Sequence, residues 1–244
     1  MSSTPVNPLK LLALAVCLCV LSCIFFTGGA EVAETVYFLP KDNVDIAKNP
    51  DRDYLIVGFS QPIPEEYIEA LQPDLVYLPN YVDGDTMAVE KAAYLAFTRL
   101  QWDLRNKYGI NVALYDGYRT VADQQWLIES GLATYTTGQP GYSEHHTGLL
   151  LDIIVEVGEY YYSELAVLTD ESVPEEVKSS TAFNTLHEIL PDYGFIIRYP
   201  KGKESYTGIA YNPSEIRFVG SKEVAHAIMD NNLCLEEYIS TLTP

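Results

Sequence analysis

The sequence is poor in cysteine outside its N-terminal segment. Of the four cysteines in 244 residues, Cys17, Cys19 and Cys23 lie within residues 1–30, and Cys234 is alone in the remainder. A single cysteine cannot form an internal disulfide, which excludes a small scaffold held together by such bonds. We therefore predict that residues 31–244 fold on a hydrophobic core alone, as a chain of this length can.

Basic side chains are scarce as well. The chain has 15 Lys and Arg against 34 Asp and Glu, and its formal net charge is −19. Residues 1–30 contain one of these charges, Lys10, so the acidic excess belongs entirely to residues 31–244. Such a domain repels phosphate backbones and anionic lipid surfaces. The sequence thus predicts no nucleic-acid partner, and membrane contact only through the N-terminal segment.

Residues 1–30 carry the pattern of an export signal. An apolar run over residues 11–26 follows Lys10, and residues 28–30 (Gly-Gly-Ala) are small enough for signal cleavage. The run is also close to the lower length limit of a membrane span, so an uncleaved anchor is a second interpretation. Residues 20–23 loosely resemble a lipoprotein processing box, although the apolar run continues beyond them. All three interpretations predict an exported protein, at the cell surface, membrane-anchored or secreted.

The remainder divides into a linker and one domain. Residues 31–52 mix charged side chains with prolines and show no sustained periodicity, which is typical of a linker. From residue 53 onward, apolar stripes of helical period alternate with short apolar runs of strand length. We predict one α+β domain over residues 53–244, with a mainly antiparallel sheet flanked by helices and a metal site on the sheet.

The predicted elements follow from this patterning. Predicted strands cover residues 54–57, 75–78, 111–115, 149–155, 194–199 and 216–219. Predicted helices cover about residues 87–107, 120–130, 180–190 and 235–241, and Ser221 is predicted to cap a further helix. The first of these helices carries its apolar stripe on Ala93, Phe97, Leu100 and Leu104. Thr120 and Asp123 form a capping pair for the second, and residues 160–180 are predicted to be irregular at first.

The stretch 142–155 combines a polar, histidine-containing loop with an apolar run that holds one carboxylate, Asp152. An ionised Asp within Leu-Leu-Leu-Asp-Ile-Ile-Val is costly to bury without a partner. A divalent cation held jointly by His145 and Asp152 removes that cost, and zinc accepts both ligand types. The alternative is an Asp that caps a neighbouring loop beside a surface histidine. These two residues alone do not decide between the interpretations.

Four segments, taken together, resemble the VanY-like D-alanyl-D-alanine carboxypeptidases, a zinc peptidase family that also includes L,D-carboxypeptidases. The resemblance covers about residues 54–239, in order and at sensible spacings. It rests on Asp-Gly-Tyr-Arg-Thr at 116–120 with Gln124, on Ser-Glu-His-His-Thr-Gly-Leu-Leu-Leu-Asp at 143–152, on Tyr-Gly-Phe-Ile-Ile-Arg-Tyr-Pro at 193–200, and on Tyr-Asn-Pro-Ser-Glu-Ile-Arg-Phe-Val-Gly at 211–220.

The resemblance implies a zinc-dependent carboxypeptidase that removes a terminal D-amino acid, D-Ala, from peptidoglycan stem peptides. It implies that His145 and Asp152 bind the metal. Arg119 would polarise the substrate carbonyl, and Ser143 and Gln124 would line the substrate site.

The last matched segment departs from the family at two functional positions. The family has Tyr-Glu-Pro-Trp-His-Phe-Arg-Tyr-Val-Gly there, so Asn212 stands where the resemblance implies the general base, and Glu215 where it implies a second histidine ligand. Glu215 remains an acceptable third ligand for zinc. An amide cannot take a proton from water near neutral pH, however. Two hypotheses follow: a carboxypeptidase with reduced activity, or a catalytically inactive homologue that binds cell-wall peptides or a protein partner.

The other candidate side chains have structural interpretations. Glu144 is predicted to orient its loop, with a role as substitute acid for Asn212 as the alternative. His146 is predicted to be a loop histidine rather than a ligand. His187 and His226 lie on predicted helices and are interpreted as packing or surface residues.

Overall fold

The computed structural model describes residues 53, 55–58, 61–79, 86–133 and 138–242. The predicted export signal and linker, residues 1–52, lie outside the described residues. Within the described part of the chain, no helix combines the length and the apolar character needed to cross a membrane.

Seven strands are described, and every pairing among them is antiparallel. The first two form a hairpin, and the other five form the central sheet in the order β3-β4-β7-β6, with β5 also paired to β4. The predicted fold class is therefore confirmed. The strands are β1 Leu75–Pro79, β2 Thr86–Glu90, β3 Val112–Asp116, β4 Leu150–Val157, β5 Tyr160–Tyr162, β6 Phe195–Tyr199 and β7 Asn212–Phe218.

Short helices surround the sheet. Their bounds are α1 Glu65–Leu71, α2 Lys91–Asp103, α3 Val121–Glu129, α4 Glu164–Thr169, α5 Glu175–Lys178, α6 Ala182–Ile189, α7 Glu204–Thr207, α8 Lys222–Met229 and α9 Leu235–Leu242. The capping pair at the start of α3 is confirmed, because the Thr120 hydroxyl accepts from Asp123 N and the Asp123 carboxylate accepts from Thr120 N. At α8 the Ser221 hydroxyl accepts from Val224 N, without a reciprocal contact.

The predicted helix over residues 87–107 starts too early. Residues 87–90 belong to β2, because their backbone groups pair with β1. The side chain of Glu90 then accepts a hydrogen bond from Ala93 N and caps α2. The helix widens into a π turn over Leu104–Tyr108 and ends at Gly109, whose φ of 69° is the left-handed conformation that glycine adopts readily.

The principal core lies between α2 and one face of the sheet. The predicted stripe of Ala93, Phe97, Leu100 and Leu104 is fully buried there. Alternation along the strands sends Leu151 and Ile153 of β4 and Ile216 of β7 into this same core. The intervening residues, including Asp152 and Glu215, therefore point to the opposite face of the sheet.

A buried ionic cluster lies near this opposite face. It consists of Glu144, Arg198, Arg217 and Glu236. The Glu144 carboxylate contacts Arg198 Nε at 2.9 Å and Arg217 Nη1 at 2.5 Å, and all three side chains are at most 1% exposed. Arg198 Nη2 also lies 2.6 Å from the Glu236 carboxylate. Two cations and two anions balance, which is the condition under which such charges can be buried.

The predicted strand at residues 54–57 is wrong for the part that is described. Residues 55–57 form no strand, and an isolated bridge joins Gly58 to Gln61. The carbonyls of Asp53 and Leu55 instead accept hydrogen bonds from Arg217 Nη2, at 3.4 and 3.2 Å. The Arg217 guanidinium thus satisfies backbone carbonyls that a neighbouring strand would otherwise satisfy.

Residues 160–180 contain more regular structure than predicted. Tyr160–Tyr162 forms β5 against β4, and α4 and α5 follow. The Ser163 hydroxyl caps α4 through Ala166 N, and the Ser214 hydroxyl of β7 accepts from Leu165 N. These side-chain contacts order the segment together with the burial of Val167, Val173 and Val177 in the principal core.

Candidate active site

His145 lies in a one-turn 3-10 helix, Glu144–Thr147, that leads into β4. The turn ends at Gly148, whose φ is 71° and whose N–H donates to the His145 carbonyl. The Nδ1 atom of His145 lies 2.6 Å from the Gly117 carbonyl. A carbonyl only accepts hydrogen bonds, so Nδ1 carries the proton and Nε2 presents its lone pair.

The charge state of His145 is suited to binding a cation. Burial, with the nearby positive charge of Arg119, lowers the pKa of His145 from 6.5 to about 3. The imidazole is therefore neutral at physiological pH. Its Nε2 atom lies 3.8 Å from Asp152 Oδ2.

Antiparallel register places three carboxylates across neighbouring strands. Asp152 of β4 lies directly opposite Glu215 of β7 on one side and Asp116 of β3 on the other. The pairing of β3 with β4 is regular up to Leu114 opposite Ile153, and a bulge then leaves Tyr115 without a partner across the ladder. The bulge brings Asp116, instead of Tyr115, opposite Asp152.

The paired carboxylates of Asp152 and Glu215 are held in an environment that disfavours their charge. Burial, together with repulsion from Glu215, raises the pKa of Asp152 well above its usual range. Burial likewise raises the pKa of Glu215 to about 7, against the opposing attraction of Arg119 and Arg198. A divalent cation between these groups would offset this cost.

His145, Asp152 and Glu215 converge on one point. Each offers one ligand atom, and the three atoms lie within 4.8 Å of one another. One neutral imidazole nitrogen and two carboxylates are donors that zinc accepts, and three protein ligands are the number that a catalytic zinc site uses. The residues present therefore fit the metal that the resemblance implies.

Arg119 stands beside this triad. Its Nη2 atom lies 2.8 Å from Asp116 Oδ2 and 3.4 Å from Asp152 Oδ2, and its Nε donates to Asp116 as well. Its Nη1 donates to Gln124 Oε1 at 3.2 Å. The guanidinium is thereby fixed in orientation next to the candidate ligands.

Gln124 and Ser143, the two predicted substrate-binding residues, are both buried. The amide of Gln124 is engaged at both ends, because Nε2 donates to the Gly138 carbonyl at 2.8 Å and Oε1 accepts from Arg119. In this structure Gln124 holds Arg119 in place rather than lining open space. Ser143 differs, since its Oγ has no hydrogen-bond partner among the described residues.

Asn212, at the predicted base position, contacts the candidate ligand Glu215. Its Nδ2 donates to Glu215 Oε1 at 2.6 Å, and its Oδ1 accepts from Ser214 N at 3.1 Å. The backbone contact determines which end of the amide faces the carboxylate. Asn212 is therefore a hydrogen-bond donor to Glu215.

The remaining candidates have the structural roles predicted for them. Glu144 is committed to the two buried arginines of the ionic cluster, which leaves no basis for a role as substitute acid. His146 is a loop residue that accepts from Gly141 N and binds the Arg119 carbonyl. His187 pairs with Glu164 at 2.8 Å, and the partly exposed His226 lies near Asp192 and Asp230.

Solved structures that are similar to this chain show the class of protein to which it belongs. Its fold is similar to that of the VanY D,D-pentapeptidase from a VanB-type vancomycin-resistance cassette, a mutant solved in complex with Zn(II), with a TM-score of 0.56, 26% identity and coverage of 77% of this chain and 98% of that one. It is also similar to the LdcB LD-carboxypeptidase, with a TM-score of 0.58, 27% identity and coverage of 79% and 88%. The class is that of the metallo-carboxypeptidases.

The family follows from the sequence match. Residues 86–221, more than half of the chain, match the VanY family model, described as D-alanyl-D-alanine carboxypeptidase. A D-alanyl-D-alanine carboxypeptidase of Enterococcus faecalis is 29% identical over 235 residues, which cover 88% of this chain and 76% of that protein. The chain belongs to the VanY family of D-alanyl-D-alanine carboxypeptidases.

Two contributors to the site were not identified from the sequence. Asp116 was given no role beyond its place in the matched segment 116–120, yet it holds Arg119 through both Nε and Nη2. The Gly117 carbonyl, which sets the tautomer of His145, is a backbone group that sequence patterns do not identify. Asp116 could have been identified from its position, because it follows a predicted strand and precedes Arg119 by three residues.

Proposed function

We propose that this protein is a zinc-dependent carboxypeptidase that removes a terminal D-Ala from peptidoglycan stem peptides. The observation that carries the proposal is the convergence of His145, Asp152 and Glu215 within 4.8 Å, beside Arg119, in a chain of the VanY family. His145 Nε2 and the two carboxylates would hold the zinc. When bound, zinc supplies a Lewis acid that polarises the scissile carbonyl and acidifies a water molecule.

The chain's own residues orient the substrate and stabilise developing charge. Arg119 carries its positive charge next to the cation site and is restrained by Asp116 and Gln124. We assign it the carbonyl oxygen of the scissile bond, where negative charge develops, because a preorganised cation is effective there. Ser143 lies two residues before His145, and its buried hydroxyl has no hydrogen-bond partner among the described residues. This hydroxyl is available to bind the peptide.

The reaction lacks a carboxylate base at Asn212. A general base contributes about 10²–10⁴-fold to turnover, so we propose an activity reduced by a factor of this order. The alternative function is binding of cell-wall peptides, or of a protein partner, without cleavage. The observation that favours this alternative is the hydrogen bond that Asn212 donates to Glu215. The amide stands at the position of the family's base and is engaged with a candidate ligand.

The test is release of D-Ala by the full chain from a stem pentapeptide that ends in D-Ala-D-Ala, after loading with zinc. We expect slow release that is lost in His145→Ala, together with about one zinc per chain that is also lost in that variant. Zinc and peptide binding without release would support the binding function instead. Absence of zinc binding would contradict both the ligand set and the proposed reaction.

A paired substitution distinguishes a weakened enzyme from a binding protein. Asn212→Glu together with Glu215→His restores the family residues, and it should raise zinc affinity and D-Ala release together, the latter by about 10²–10⁴-fold. Asn212→Glu alone would replace the amide that now donates to Glu215 at 2.6 Å by a second carboxylate, which would repel Glu215. The single variant should therefore gain less than the pair. A native protein as fast as the double variant would show that Asn212 does not limit catalysis.

We also propose that this reaction takes place outside the cytoplasm. The apolar run over residues 11–26 supports this assignment. Fractionation of producing cells tests it, and recovery of the protein in the cytosolic fraction would contradict it.

A further inference from the structure

The donor set of the cation site is dominated by carboxylates. Of the three convergent ligand atoms, His145 supplies the one nitrogen, while Asp152 and Glu215 supply oxygens. A third carboxylate, Asp116, lies opposite Asp152 in the strand register and binds the same guanidinium. Three carboxyl groups and one cation, Arg119, therefore lie at the site, and a bound metal ion would balance the charge of the ionised carboxylates.

Glu215 is held in place by a dedicated partner. Asn212 Nδ2 donates to its Oε1 at 2.6 Å, while Ser214 N fixes the Asn212 amide through Oδ1. An amide N–H in this position favours the ionised carboxylate as acceptor. Such contacts from a neighbouring side chain orient metal ligands and tune their affinity. Asn212 is in this sense a positioning residue for Glu215.

The chemistry of the donors determines which cations they favour. Imidazole suits zinc and the later transition metals, whereas carboxylate oxygens suit harder cations such as Mn²⁺ and Mg²⁺. We propose that Glu215, positioned by Asn212, sets the metal preference of this site and narrows the margin by which it binds Zn²⁺ more tightly than Mn²⁺. The inference rests on the proposed function, because it concerns the same cation site.

The experiment measures metal binding directly and does not depend on turnover. Metal-free full chain is titrated with Zn²⁺ and with Mn²⁺ against competing chelators, and free Mn²⁺ is followed by electron paramagnetic resonance. The variant Glu215→His should widen the ratio of Zn²⁺ to Mn²⁺ affinity by at least about tenfold, because it exchanges a hard donor for an imidazole. Glu215→Gln retains the size of the side chain and its carbonyl acceptor, and it should lose more Mn²⁺ than Zn²⁺ affinity.

Asn212→Leu tests the positioning role. It removes the donor to Glu215 and keeps the branching of the side chain, and it should weaken metal binding by about 10–100-fold without removing any ligand. Circular dichroism of each metal-free variant establishes that it is folded. His145→Ala is the control that identifies the site, because binding of both metals should be lost there.

The outcomes separate this inference from the proposed function. An affinity ratio that is the same in the native protein and in both Glu215 variants overturns the inference, while zinc binding that depends on His145 leaves the proposed function intact. Native protein that binds neither metal through His145 overturns both. Unchanged affinity in Asn212→Leu removes the positioning role of Asn212.

Discussion

Replacement of Glu144 by Gln should destabilise the fold rather than remove a catalytic acid. Glu144 is buried between Arg198 and Arg217, whose side chains are 1% and 0% exposed. The substitution preserves volume but withdraws the negative charge from both guanidiniums. Removing one partner of a buried ion pair costs about 3–5 kcal/mol, because the remaining charge stays buried. A domain of this kind is stable by only about 5–15 kcal/mol.

Urea denaturation followed by tryptophan fluorescence measures this loss. With a denaturant slope of about 2 kcal/mol per molar urea, the midpoint should fall by roughly 1.5–2.5 M. The matched control is Glu236→Gln. The Glu236 side chain is 18% exposed, and its partner Arg198 retains Glu144, so this variant should lose about 1–2 kcal/mol.

A different pattern would refute this reasoning. If Glu144→Gln unfolded within about 1 kcal/mol of the native protein, a value typical of exposed pairs, the buried cluster would not contribute as described. If that stable variant also lost D-Ala release, Glu144 would have to be reconsidered as the side chain that supplies the base function missing at Asn212. Loss of activity in proportion to loss of folded protein supports the structural role.

Three further predictions follow from the site and its surroundings. Asp116→Asn should weaken the contacts that Asp116 Oδ2 makes with Arg119 Nε and Nη2, and it should lower D-Ala release by about 10²-fold while elemental analysis finds the same zinc content. Thermal unfolding should be insensitive to reductant because Cys234 is a free cysteine, and a lower midpoint with reductant would indicate a bridge between chains. Gly148→Ala should cost about 1–3 kcal/mol in urea denaturation, because φ is 71° and the added Cβ would lie 3.2 Å from the Glu90 side chain; a neutral result would contradict the strain.

The features of the fold that depend on residues close together in the sequence could be predicted. The stripe of α2 and the caps of α3 and α8 depend on residues close together in sequence, and all three are confirmed. The start of α2 was wrong because residues 87–90 pair with a strand nine to fifteen positions earlier. Local propensity does not register such a partner.

The convergence of Glu215 with His145 and Asp152 could be expected from the matched segments on either side, and the structure places the three together. Their roles as ligands stay predictions, as do those of Arg119 and Ser143. The contacts of Asn212 and Gln124 could not be predicted, because they depend on which end of each amide faces which neighbour. Those orientations are set by Ser214 N and the Gly138 carbonyl, which no spacing in the sequence reveals.

The bulge at Tyr115 bears on how this site can change in evolution. Strand β3 ends the described order of the central sheet, so an extra residue there is absorbed without disturbing a second neighbour. Strand β4 has partners on both sides, and a one-residue insertion there would turn Asp152 to the other face of the sheet. Length variation is therefore tolerated at the β3 border of the site, whereas around Asp152 it would change which side chain faces the site. The departures at Asn212 and Glu215, by contrast, exchange one side chain for another and leave the length of the segment unchanged.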